Sequence, residues 1–453
     1  MKRFIDQLDA IMPTALIGSV ERTVGTTASV AGFPAPVGAL ARIERQTGTP
    51  LEAEVIGFRD DLTVLYPFGD LAGVRRGNRV RLVRTTRWLR VGDELLGRVI
   101  DAQGNAVDGN PQPALADRTC FQRHPPHPCR RPRIDQPLTT GIRAIDGLLT
   151  CGMGQRMGIL SGSGVGKSVL LGMMAQYTTA DVIVIALIGE RGREVNEFLQ
   201  RDLGPEGLAK SVVVVATSNE PAVVRVHAAS TATAIAEYFR DQGKNVLLLM
   251  DSLTRFALAQ REIGLAAGEP PTTRGYPPSV FALMPKLVER AGRSPRGSIT
   301  AFYSVLVEAD DPNEPISDAV RGLLDGHIWL SRQLASRGHY PAVDVLESLS
   351  RLMPDVTTND HRQAAFLLRE LLAAYRDHED LISIGAYRRG SNPTVDSAIG
   401  MREAVNRYLR QPIGEPSTLS QAHEGLIELE QQAGQLATRQ RNHSSTQLAA
   451  PGA

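Results

Sequence analysis

Eight residues, Ser161-Gly162-Ser163-Gly164-Val165-Gly166-Lys167-Ser168, constrain this 453-residue chain more than any others. They follow an apolar run, Met157 to Leu160, and open a helix-like run, Val169 to Ala175. A glycine-rich turn between a strand and a helix presents a row of backbone N–H groups to an anion, and the helix start adds partial positive charge. In such a P-loop the small residues let the backbone wrap phosphates. Lys167 is then the point charge on the β and γ phosphates, and Ser168 is the magnesium ligand. Gly162, Ser163, Gly164, Val165 and Gly166 supply the cradle. The first glycine of the strict pattern is replaced by Ser161, so that corner is expected not to need a glycine's backbone angle.

Composition bounds the rest. Charged residues make up 22% of the chain, and 50 Lys plus Arg against 49 Asp plus Glu leave a formal charge of +1. That balance gives no global pull toward nucleic acid or anionic lipid, so any macromolecular partner is recognised by local surface. No apolar run approaches the ~20 residues of a membrane-spanning helix, and Met1 to Met12 lacks the long apolar core of a leader. Three scattered cysteines argue for a reducing compartment and against a disulfide framework. The chain reads as cytoplasmic.

Residues 1–92 are rich in Val, Thr, Gly and Pro, with short strand-like stretches at Ala28 to Ala31, Glu54 to Phe58 and Arg79 to Val83, which predicts an N-terminal β-barrel. Residues 93–375 alternate helix-length segments with apolar runs at Val182 to Ile188, Val212 to Ala216, Val246 to Met250 and Ile299 to Val305. Buried parallel strands have this appearance, so a central α/β domain with a mainly parallel sheet is predicted. Residues 376–453 carry helical segments, Val395 to Leu409 and Leu419 to Ala437, and a polar, Ala-rich end whose last ten residues are expected to fray.

Two further segments carry chemistry. Gly189-Glu190-Arg191-Gly192-Arg193-Glu194 follows the run Val182 to Ile188, placing a carboxylate and two arginines at the sheet edge where open α/β folds bind ligands. Glu190 is positioned to polarise an attacking water, and Arg191 to steady phosphate charge. The bland alternative is a charged loop that solvates a strand end. Asn245 to Asp251 is an apolar strand ending in an acid, the form of a Walker B element, with Asp251 on the magnesium side. Alone, such an Asp would more often cap the next helix.

The segments SGSGVGKSVLLGMMAQY, ALIGERGREVNEF, LLLMDSLTRFALAQREIGLAAGEPPTTRGYPPSVFALMPKLVERAG and DGHIWLSRQLASRGHYPAVDVLESLSR together resemble the flagellar and type III secretion export ATPases, relatives of the catalytic subunit of rotary ATP synthases. The resemblance runs from about Gly18 to about Leu409. It implies a barrel, a RecA-like P-loop domain and a helical C-terminal domain in a homohexameric ring that hydrolyses ATP with Mg2+. It further implies that Arg351, ending Ser348-Leu349-Ser350-Arg351, serves the γ-phosphate held by a neighbouring subunit, and that Tyr340 packs on adenine. Gly385-Ala386-Tyr387 with Gly390-Ser391-Asn392-Pro393 resembles a segment of the export branch, and no acidic loop of the synthase type is present. The wording of Ala35 to Gly48 and of Val165 to Ala175 leans flagellar over the virulence-type injectisome.

The implied partners are a stator-like regulator, a central stalk, the export gate and chaperone–cargo complexes, at the cytoplasmic face of the inner membrane, with regulation through residues 1–20 or elsewhere. A non-hydrolysing ring subunit is expected to lack Glu190. An RNA-driven hexameric motor would want basic residues clustered with stacking aromatics, and Phe4, Phe33, Phe58, Tyr66, Phe68 and Trp88 form no such cluster. Cys120, His124, His127 and Cys129 have zinc chemistry, but Pro125, Pro126 and Pro128 cramp and stiffen them. A linker laid over the nucleotide domain, ahead of the basic Arg130-Arg131-Pro132-Arg133, is the expected reading.

Overall fold

The computed structural model describes residues 16–46, 48–307, 311 and 314–448, with side chains through residue 438. The first fifteen residues, within the segment expected to contact a regulator, and residues 449–453 of the expected frayed tail lie outside the described residues; 444–448 continue the last helix.

Six antiparallel strands close a barrel in the order Ile17–Val24, Thr27–Ala31, Leu62–Pro67, Leu51–Arg59, Leu40–Ile43 and Arg79–Arg84. Leu51, Ala53 and Val55 alternate with half-buried Glu52, Glu54 and Ile56, the two-residue period of a strand with one face inward. The barrel interior is filled by Val20, Val30, Phe33, Ile43, Leu65 and Val80 among others.

The central sheet runs Val343–Ser350, Gly326–Leu330, Arg156–Ser161, Ser298–Leu306, Asn245–Asp251, Val182–Ile188, Ser211–Ala216 and Arg98–Asp101. Pairings are parallel except at one end, where Val343–Ser350 runs antiparallel to Gly326–Leu330; the short strand Gly292–Arg293 is antiparallel to Ser298–Leu306. Every residue of Val182–Ile188 is buried. Val182, Val184, Ala186 and Ile188 join one core, with helices Ala222–Asp241, Leu253–Ala267 and Pro278–Val288. Ile183, Ile185 and Leu187 join another, with the P-loop helix Lys167–Tyr177 and the C-terminal helices.

Three C-terminal helices, Asn359–Ser383, Pro393–Leu409 and Leu419–Leu448, pack on one another and on the short helix Arg143–Leu148. Their buried positions, such as Ala364, Leu368 and Leu371 or Ala398, Met401 and Val405, keep helical spacing. The first of these helices runs through position 375. Its start was not visible as a helix beside the strands that precede it.

Two charged joints fasten the layers. At the barrel, Glu54 accepts from Arg87 at 3.2 Å and stands 2.7 Å from His227 of helix Ala222–Asp241. The Arg87 guanidinium lies 4.8 Å from the Phe121 ring centre and 5.3 Å from that of Phe68. On one face of the sheet, Arg290, just after helix Pro278–Val288, donates two bonds to Glu237 of helix Ala222–Asp241, at 3.0 and 2.8 Å, with the carboxylate fully buried. Arginines also tie down the proline-rich segment: Arg131 donates to the carbonyls of Ala291, at 3.0 Å, and of Glu289, and Arg133 reaches Asp355 at 2.7 Å.

Removing one partner of a buried pair strands the other charge, which costs about 3–5 kcal/mol. Arg290→Ala is therefore expected to lower unfolding free energy by that order in urea titration, and Arg290→Met combined with Glu237→Gln to recover most of it. A loss below 1 kcal/mol in the single variant would show that the pair does not hold helix Ala222–Asp241 to the end of helix Pro278–Val288.

Candidate functional site

Parallel register brings the chemistry to one edge. Ser161 lies opposite Leu306, and Leu187 opposite Asp251, so the ends of four adjacent strands and the loops that follow them form one wall. There the chain folds around a cavity of about 530 Å³, the size of a nucleotide-class ligand site.

The loop turns as the sequence reading expects. Gly164 has φ 77° and Gly166 φ 88°, left-handed backbone that favours glycine, whereas Ser161 is not among the positive-φ residues and needs no glycine. Gly166 caps the helix Lys167–Tyr177, so that helix's free N–H groups face the cavity. Gly162, Ser163, Gly164, Gly166, Lys167 and Ser168 line it, while Val165 turns inward and is buried.

Lys167 Nζ is hydrogen-bonded to Asp251 Oδ1 and stands 4.0 Å from Glu190 Oε1. Burial pushes the ammonium down, but the carboxylates of Asp251 and Glu190 outweigh it and hold Lys167 above its ordinary range. Asp251 also accepts from Ser304 Oγ at 2.6 Å. It does not cap the next helix: Ser252 does, accepting from Arg255 N at 3.2 Å. The helix-cap alternative for Asp251 is thereby removed.

Glu190 is held by its backbone, whose carbonyl accepts from Ser218 N at 2.9 Å. Burial and the neighbouring Asp251 charge push its carboxyl up to about 7, with Lys167 opposing, and a hydrogen bond from Glu190 to Glu194 keeps the Glu194 carboxyl low. Arg191 lines the same cavity, is largely exposed, and lies 3.6 Å from Glu194.

Two expected residues lie apart from this group. The Tyr340 ring sits beside the loop, where a Cβ added at Gly166 would stand 3.4 Å from it, and the residue is exposed. Arg351 follows the antiparallel strand Val343–Ser350, whose end pairs with Gly326, at the start of its own strand. It is exposed, and its backbone donates to Asp325 at the opposite edge of the sheet from the P-loop. The length of a six-residue strand, roughly 20 Å, separates Arg351 from the cavity of its own chain.

Sequence reading missed Arg255, Glu194, Ser218 and Ser304. The first three line the cavity and Ser304 orients Asp251. Glu194 lies in a segment already singled out, but the others come from distant stretches with no motif of their own. Among the described residues no group of three or more His, Cys, Asp or Glu is placed to hold a metal, and Cys120, His124, His127 and Cys129 do not converge. Cys120 Sγ donates instead to Gln122 O at 3.1 Å, and Cys129 N to His127 Nδ1 at 3.3 Å.

Comparison with known proteins places this geometry. Residues 141–350 match the family model "ATP synthase alpha/beta family, nucleotide-binding domain", and residues 357–428 match "T3SS EscN ATPase C-terminal domain". A flagellum-specific ATP synthase of Bacillus subtilis is 51% identical over 414 residues, covering 91% of this chain and 94% of that protein. A type 3 secretion system ATPase of Xanthomonas euvesicatoria is 52% identical over 413 residues, 91% of this chain and 92% of its own. Among solved structures, the assembled ATPase EscN of the enteropathogenic E. coli type III secretion system superposes with a TM-score of 0.86 at 48% identity, covering 91% of this chain and 99% of that one. EscN in complex with its central stalk EscO gives 0.84 at 47%, with the same coverage.

Because the fold raises the Glu190 carboxyl from an ordinary value of 4.5 to about 7, its contribution to stability is complete below about 4.5 and is lost as pH climbs through 7. In ligand-free protein the melting temperature should therefore fall more between pH 5 and 7.5 for wild type than for Glu190→Gln. Parallel slopes would mean that Glu190 titrates as an ordinary carboxylate.

Proposed function

The chain belongs to the ATP synthase alpha/beta family, in its branch of flagellum-specific and type III secretion ATPases, and is an ATP hydrolase; we propose that it turns over MgATP between adjacent subunits of a homohexameric ring that energises protein export through a flagellar type III secretion apparatus. The observation that carries the shared-site reading is the position of Arg351, a strand's length away from its own P-loop at the opposite sheet edge. An arginine that serves the γ-phosphate from there must serve the next subunit's.

The donor set fits a nucleotide with its metal: a glycine cradle, an ammonium and a hydroxyl at Ser168 line one cavity, with the Asp251 carboxylate behind them bonded to that ammonium. Ser168 and Asp251 would hold magnesium, which when bound screens and orients the β and γ phosphates. The phosphates compete with Asp251 for Lys167, drawing the ammonium onto themselves and freeing the carboxylate. Glu190, with a carboxyl near 7, is suited to take a proton from the attacking water at neutral pH. Arg191, and Arg351 of the partner subunit, stabilise charge on the transferring group. Tyr340 stacks on the base.

A second reading, export through a virulence-type apparatus, is favoured by the equally similar Xanthomonas protein. Replacing the chromosomal gene by a Glu190→Gln allele separates the two, since loss of motility marks the first and loss of effector secretion the second. A central stalk, as EscO is for EscN, is the partner expected in the ring's centre, with the stator-like regulator, export gate and chaperone–cargo complexes around it on the cytoplasmic side of the inner membrane. No helix among the described residues is long and apolar enough to cross a membrane.

Arg351→Ala should bind nucleotide normally and lose ~10³–10⁵ in phosphate release. Lys167→Ala should lose binding, and a mixture of the two inactive proteins should regain activity that neither shows alone, because some interfaces then pair an intact Lys167 with an intact Arg351. Failure of the mixture to recover, with mixed rings demonstrated by mass, would overturn the in-trans assignment. Glu190→Gln should keep nucleotide binding and abolish turnover.

A further inference from the structure

A second cavity, about 70 Å³, lies where the edge strand Val343–Ser350 and the short helix Arg332–Ser336 meet the C-terminal helices Asn359–Ser383 and Pro393–Leu409. It shares no lining residue with the nucleotide cavity. His339 lines it, is only 5% exposed, and has a buried Nε2 with no hydrogen-bond partner among the described residues. A buried polar atom left without a partner costs about 1–3 kcal/mol, and native structures leave few of them.

Arg402 lines the same cavity with its guanidinium 4.1 Å over the Tyr375 ring centre, and no carboxylate among the described residues pairs with it. The neighbouring cations are already matched, Arg337 to Glu379 at 2.8 Å and Arg376 to Asp344 at 2.6 Å. The wall thus carries one uncompensated positive charge beside an unpartnered imidazole.

We propose that this cavity binds a small tetrahedral oxyanion, of which inorganic phosphate and sulfate are the simplest, through the Arg402 guanidinium and the His339 imidazole. The size agrees. A water needs about 10–15 Å³ by the same measure, so the cavity has room for about five water-sized groups, enough for the oxygens of one such anion. Burial, with Arg410 and Arg402 nearby, pushes the imidazole down to about 4, so at neutral pH His339 offers one N–H and Arg402 supplies the charge. The location has a consequence for the nucleotide site, because His339 directly precedes Tyr340, whose ring stands beside Gly166. An anion bonded to His339 tethers the turn that presents Tyr340 to the P-loop.

The test is a titration of full-length, histidine-labelled protein with sulfate, and separately with inorganic phosphate, reading the His339 ring C–H resonance assigned by its loss in His339→Gln. The resonance should move saturably with either anion, and equally in Lys167→Ala, which removes anion binding at the P-loop. Arg402→Ala should weaken that saturation by roughly tenfold or more, the loss of one charge-assisted bond, with Arg402→Lys in between. Arg402→Gln, which keeps most of the side chain packed on Tyr375, guards against a folding defect and should weaken binding likewise. A resonance that does not move, that moves equally with chloride, or that no longer moves in Lys167→Ala would each overturn the proposal.

Discussion

A central strand buried on both faces is the constraint from which the rest follows. Val182–Ile188 has no polar face to offer water, so helices must cover the sheet above and below. Covered faces leave only the strand ends for chemistry. Parallel pairing sends the ends of four neighbouring strands to the same edge, and the glycine loop, Glu190 and Asp251 arrive there from stretches far apart in the chain. The apolar core thus positions the charged groups by excluding them from everywhere else.

Within that edge the charges hold one another. Two carboxylates share one ammonium, and each therefore lives in a field set by the other two groups. Asp251 holds the ammonium and the Ser304 hydroxyl, while burial and the Asp251 charge raise the proton affinity of Glu190 against the pull of Lys167.

How much of this was legible in the sequence depended on how local the physics is. The P-loop and the strand-terminal Asp251 were legible because their chemistry needs contiguous residues, and Val182–Ile188 because a doubly buried strand must be apolar throughout. Barrel strands such as Leu40–Ile43 and Leu62–Pro67 were not, since four to six residues with a single inward face leave a weak pattern. Arg255 and Ser304 reach the site only by folding, and nothing in their immediate sequence announces it.

The helix Arg143–Leu148 is short, yet all three C-terminal helices rest on it, and five of its six residues are buried. Gly147 is closed over by Tyr408 and Leu426, so a methyl group added there would collide with the Tyr408 hydroxyl and press on Leu426. For anyone recombining relatives, this makes the helical end and the nucleotide-binding middle poor units of exchange: a chimaera spliced after Ser350 inherits two halves of one interface, and its success depends on whether position 147 of one parent still fits position 408 of the other.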